Sequence, residues 1–112
     1  MTTQPLEEVV AKIDRRRWQR KKFRANMEIE WGSTLLAGIV RDIGPQGLFV
    51  EMTQPLWVGA TFRARLRLDS DLWLNCTAVR VEPGSGIAVL FEVADETGKA
   101  QLEMLLANLP PV

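Results

Sequence analysis

Apolar and polar residues alternate with a period of two along most of this chain, in short stretches separated by turn residues. Met27, Ile29 and Trp31 alternate with Glu28 and Glu30, the pattern of a half-buried strand. Gly32-Ser33 predicts a turn, and the aliphatic, β-branched residues 35–41 predict a second strand. Gly44, Pro45 and Gly47 interrupt the pattern before a third strand at 48–52. A connection over 55–59 follows, with Gly59 as its turn residue. Phe62, Ala64, Leu66 and Leu68 then alternate with Arg63, Arg65, Arg67 and Asp69, which predicts a strand whose three arginines form a solvated face. Asp69-Ser70-Asp71 is a turn, 72–82 a long strand, Pro83-Gly84-Ser85-Gly86 another turn and 87–92 the last strand. Short strands at this spacing predict a mainly β, six-stranded antiparallel barrel, a closure that removes exposed sheet edges.

At both ends the period changes to that of a helix. Leu6, Val9, Val10 and Ile13 fall at i, i+3, i+4 and i+7 and predict a short N-terminal helix within 4–18. Thr3 is placed to cap it, and Pro5 is tolerated in a first turn. Glu7 and Glu8 lie near the positive end of its dipole and Arg15, Arg16 and Arg17 near the negative end. Its apolar stripe needs a partner, either the barrel or the same stripe on a second copy, which would make a homodimer. A C-terminal helix is predicted over 95–108, with Asp95 as N-cap and Leu102, Leu105, Leu106 and Leu109 as its apolar side. Gly98 weakens its first turn by about 1 kcal/mol relative to alanine. The chain divides into an N-terminal helix and basic arm at 1–19 and a barrel domain with its C-terminal helix at 20–109.

Composition narrows the chemistry. The chain has 112 residues, no histidine, no tyrosine and one cysteine, Cys76. The commonest general base and metal ligand is therefore missing. One cysteine without histidine makes neither a zinc site nor a Cys–His nucleophile pair. No enzymatic role, metal or cofactor is expected. No apolar run approaches the roughly 20 residues of a membrane span, and the N-terminus lacks the features of a signal peptide, so a cytoplasmic location is predicted. Charge is balanced overall, at 14 basic and 14 acidic residues, but unevenly placed. Eight of the basic residues and three of the acidic ones precede residue 25, so the remainder carries a net charge of −5. A basic arm on an acidic body predicts an anionic ligand for the arm.

Two motifs give that ligand a chemistry. Arg20-Lys21-Lys22-Phe23-Arg24 is an R-x-x-x-R pattern at the end of the basic run. Asp42-Ile43-Gly44-Pro45-Gln46-Gly47 is a D-x-G-x-x-G pattern leading into an apolar strand. Arginine offers both a fork for phosphate and a flat face for a base. An acidic side chain accepts from the donor edge of guanine, and glycines let backbone amides approach a ligand. With their order, their spacing and the β-pattern around them, these motifs resemble the PilZ domain, a family of receptors for the bacterial second messenger cyclic di-GMP. Gly86-Ile87-Ala88-Val89-Leu90-Phe91 resembles the strand that precedes the family's last helix.

The resemblance implies a six-stranded barrel with a C-terminal helix, and a site built from Arg20, Arg24, Asp42, Gly44 and Gly47. Arg16 and Lys21 are further candidates, because Arg16-Arg17-Trp18-Gln19-Arg20 is also R-x-x-x-R. Arg20 belongs to both registers, and the Arg20/Arg24 register is favoured because the Met27 strand follows it directly. The basic linker is expected to wrap the nucleotide against the barrel and so signal to a downstream protein. One departure stands out: where the family carries serine this chain has Gly44. The missing hydroxyl is expected to cost about 0.5–1.5 kcal/mol of binding. It also raises an alternative, a degenerate PilZ domain that binds a protein and not the nucleotide. A nucleic-acid role suits the arm and Trp18, but the net −5 of the body opposes a long nucleic-acid track.

Overall fold

A computed structural model describes residues 20–53 and 56–110. The expected N-terminal helix, Arg16 and Trp18 lie outside the described residues. Six antiparallel strands form a closed barrel: β1 (Lys21–Trp31), β2 (Thr34–Ile43), β3 (Gly47–Glu51), β4 (Thr61–Leu66), β5 (Leu72–Glu82) and β6 (Gly86–Val93). Their order around the barrel is β1-β2-β3-β6-β5-β4. One helix, α1 (Glu96–Asn108), follows. The expected fold is the observed one.

The core is the set of inward positions that the alternation marks. Met27 and Ile29 of β1, Leu48 and Val50 of β3, Ala64 and Leu66 of β4, and Leu72 and Leu74 of β5 are buried and packed together. Cys76 is among them, and burial pushes its thiol up to about 12 from 9.0. An unfolded thiol ionises from about pH 9, whereas the folded one stays protonated. Cys76 is therefore expected to favour unfolding progressively as pH rises from 9 towards 12, visible as a falling urea midpoint that a Cys76→Ala variant lacks.

The outer face of β1 and β4 is a charged lattice, more structured than a solvated face. Glu28 accepts from Arg65 and, at 2.9 Å, from Arg67. The hydrogen bond from Arg65, with the charge of both arginines, holds Glu28 below the usual carboxylate range. The Arg63 guanidinium lies 4.1 Å from the centre of the Trp73 ring. At the end of β1, Trp31 meets Trp57 edge-on at 4.9 Å.

Helix α1 lies across the barrel end at which β1 starts. Asp95 caps it, accepting from the Gly98 amide at 2.7 Å. Leu102 is buried, and Leu105, Leu106 and Leu109 pack against the core. Gly98 has a packing reason that its poor helix propensity hides: a Cβ there would lie 2.4 Å from a Val93 methyl and 3.0 Å from a Leu72 methyl. The last turn of α1 carries no basic residue. Its dipole is met instead from β1, where the Lys21 ammonium donates to the carbonyls of Leu106 at 2.8 Å and Leu109 at 3.2 Å. Lys21→Met is expected to lower stability by about 1–2 kcal/mol, read as a lower urea midpoint with faster amide exchange confined to the last turn of α1.

Candidate functional site

The two motifs meet on the outer face of the barrel where β1, β2 and β3 run side by side. Lys22 pairs with Asp42 across β1 and β2, and Asp42 with Phe49 across β2 and β3. The local folding that makes this face is a β-bulge. Leu36, Gly38 and Val40 of β2 point inward, so strict alternation would drive Asp42 into the core. Instead Val40 pairs with Val50 and Asp42 with Phe49, so β2 holds one extra residue, Arg41. The bulge turns both Arg41 and Asp42 outward and leaves Ile43 buried. A second irregularity, between Lys22 and Ala25 of β1, faces the first across the pair.

Side chains converge there. Arg20 Nη1 donates to Asp42 Oδ1 at 3.2 Å, and Arg41 Nε approaches Asp42 Oδ2 at 3.5 Å. Arg41 also lies over Phe49, its guanidinium carbon 3.8 Å from the ring centre. Arg24 Nη1 sits 3.2 Å from Glu51 Oε1 on the same face. Gly47 is glycine for a spatial reason: a Cβ there would lie 3.0 Å from the Val89 carbonyl and 3.2 Å from Arg20 Nη2. Its absence lets the Arg20 guanidinium settle against the turn backbone. That turn is closed by the Gly44 amide donating to the Gly47 carbonyl at 2.8 Å, and it is tied to β6 by Phe91 N–H donating to Gln46 O at 2.9 Å. Gly44 is buried, and it is not among the residues with positive φ.

This places every expected residue except Arg16, which lies outside the described residues. Arg20, Asp42 and Gly47 are in contact or near it, and Gly44 closes the same turn. Arg24 shares the face but pairs with Glu51 and not with Asp42. Lys21 points the other way, over the barrel mouth to α1. The expected basic linker lies mostly within a strand. Strand β1 begins at Lys21, six residues before Met27, because Phe23 and Ala25 continue the inward alternation and pack against the core. Within the motif only Arg20 precedes the strand. Arg41, Phe49 and Glu51 were not singled out by sequence reading. The one signal was a basic residue directly before Asp42, and only the bulge makes it count.

The chain matches the family model described as PilZ domain over residues 14–108. The chain belongs to the PilZ domain family. The fold is also similar to those of two solved structures. The Bacillus subtilis inhibitor of motility, MotI/DgrA, is 15% identical with a TM-score of 0.67 over 82% of this chain. The matched region is 50% of that protein, so this chain spans half of its length. The PilZ domain of CeSA from a cellulose-synthesizing bacterium is 22% identical with a TM-score of 0.61, over 79% of this chain and 94% of that one. At these identities both likenesses concern the fold. No curated relative matches the chain. No helix among the described residues is long and apolar enough to cross a membrane.

Proposed function

We propose that this PilZ domain is a cyclic di-GMP receptor, and that Arg20, Arg24, Arg41 and Asp42 form its nucleotide-reading face. The observation that carries the proposal is the convergence of the Arg20 fork, the Asp42 carboxylate and the Gly47 backbone on one bulged surface. Arginine forks suit the two phosphates, and their planes suit guanine stacking. Asp42 accepts from the N1–H and N2–H₂ edge of a guanine. Asp42 and Glu51 hold the two motif arginines in place. Nucleotide binding exchanges those carboxylates for phosphates, which leaves Asp42 open to the base. The R-x-x-x-R segment then wraps the nucleotide against the barrel, and a protein partner reads that change. The role is that of a receptor or effector domain and not of an enzyme.

Calorimetric titration with cyclic di-GMP tests this, with GMP and cyclic di-AMP as controls. Micromolar or tighter, selective binding is expected. No heat and no thermal shift at high nucleotide concentration would leave the domain as a protein-interaction module. Gly44→Ser separates the two readings. With φ not positive at Gly44, serine enters the turn without backbone strain and supplies the family's hydroxyl. An affinity gain of about three- to tenfold is expected, and unchanged or weaker binding would show that the hydroxyl has no role here.

A further inference from the structure

An open groove of about 1250 Å³ runs between α1 and the barrel flank formed by β5 and β6. Phe62, Phe91, Leu102 and Leu106 line it with apolar surface, and Leu90, 46% exposed, extends that surface outward from β6. The groove touches both motifs of the proposed nucleotide face. Pro45 and Gln46, inside the D-x-G-x-x-G turn, belong to its lining. Leu106 is the residue whose carbonyl accepts from Lys21 of the R-x-x-x-R pattern. Leu90 pairs with Gly47 across β6 and β3. Its Cδ2 lies 3.6 Å from where a Gly47 Cβ would stand, and Arg20 Nη2 lies 3.2 Å from the same point, so Leu90 and Arg20 are neighbours over that glycine.

We propose that this groove docks a segment of a partner protein that presents aliphatic side chains on one face with lysine or arginine beside them. Size favours a chain segment over a small ligand, because small-molecule pockets enclose roughly 300–1,000 Å³ and bury most of what they hold. Charge fixes the sign of the partner. Three charged residues line the groove: Glu92 on β6, and Lys99 and Glu103 on α1. Lys99 is engaged by Glu96 at 3.2 Å. Glu92 and Glu103 are exposed, and neither forms an ion pair among the described residues. They stand on opposite walls, so basic side chains flanking an apolar anchor meet a carboxylate on either side. Apolar anchors within a polar rim are where interfaces concentrate their binding energy. Residues 25–112 carry a net charge of −5, which steers a basic segment towards this body. That the occupant is the partner reading the nucleotide rests on the receptor reading above; the docking itself does not.

The test is therefore run on the full chain without nucleotide, so that a failure to bind cyclic di-GMP leaves its outcome unaffected. The probe is a synthetic amphipathic peptide with leucine at i, i+3, i+4 and i+7 and lysine at the other positions. Its controls are the same pattern with glutamate for lysine, and a scrambled leucine–lysine peptide of equal composition. Titration is followed by the amide NMR shifts of the labelled protein, which report folding and location together. Saturable shifts centred on Leu90, Phe91, Leu102 and Glu103 are expected with the first peptide, and much weaker ones with either control. A Glu92→Lys/Glu103→Lys variant, altered only at exposed positions, is expected to bind the lysine peptide about tenfold more weakly. Leu90→Asp is expected to weaken it as well, through the apolar contact. No saturation, shifts centred elsewhere, equal binding of the scrambled peptide or unchanged affinity in the variants would overturn the proposal. A concentration-dependent dimer that maps to the groove and excludes the peptide would overturn it in favour of a second copy.

Discussion

Arg20→Ala is expected to weaken cyclic di-GMP binding by about ten- to a hundredfold, the value of one charged hydrogen-bond partner at a site. Two losses combine. The phosphate fork goes, and Asp42 is left without its nearest cation, so its carboxylate faces the incoming phosphates with less of its charge neutralised. Arg24→Ala is expected to cost less, about three- to tenfold, because Arg24 pairs with Glu51 and not with Asp42. Both side chains are solvent-accessible, Arg20 at 34% and Arg24 at 64%, so neither change is expected to lower unfolding free energy by more than about 1 kcal/mol. Calorimetry and urea unfolding on the same preparations separate affinity from stability. Wild-type affinity in Arg20→Ala, or a larger loss in Arg24→Ala, would contradict the assigned roles.

Gly86→Ala is expected to be the most damaging small substitution, at about 3 kcal/mol or more. Gly86 begins β6 and pairs with Glu51 at the end of β3. A Cβ there would lie 2.1 Å from the Val50 carbonyl oxygen and 2.9 Å from the Glu51 Cα. These are backbone atoms, so no side-chain rotation relieves the clash, and the β3–β6 ladder must open. Gly59→Ala is the comparison. Gly59 has φ of 92° but nothing within 4 Å of the added Cβ, so its cost is the backbone strain alone, about 1 kcal/mol. For a domain of this size each kcal/mol lowers Tm by about 4–8 °C. Gly86→Ala is therefore expected to lose well over 10 °C, and Gly59→Ala roughly half as much or less. Equal shifts in the two variants would show that the close approach at Gly86 is not what requires glycine. Because β3 also carries Phe49 and Glu51 of the proposed nucleotide face, Gly86→Ala is expected to weaken binding as well.

The fold was legible because a barrel this small has one inside. Every strand must bury alternate residues, so Met27/Ile29, Phe62/Ala64/Leu66 and Leu72/Leu74 declare their faces in the sequence. α1 was legible for the same reason, through its leucine stripe and the capping oxygen of Asp95. The start of β1 was not. Its charged residues all lie outward or over the barrel mouth, and only Phe23 and Ala25, short of a full alternation, mark the strand.

The site was half legible. Arg20, Asp42 and Gly47 form a pattern whose chemistry can be read from residue types alone. The sequence by itself determined the barrel, its helix, the family and the residue types that suit a phosphate and a guanine. The tertiary structure decided which of those residues meet. A single extra residue, Arg41, turns Asp42 from the core to the surface, and no local preference announces a bulge, because it exists only relative to the pairing of β3. It also decided the division of the basic motif: Arg20 and Arg24 lie on the proposed nucleotide face, and Lys21 reaches the end of α1. Side chains one residue apart on a strand face opposite sides, and which side holds a ligand and which a helix depends on contacts 22 and 85 residues away.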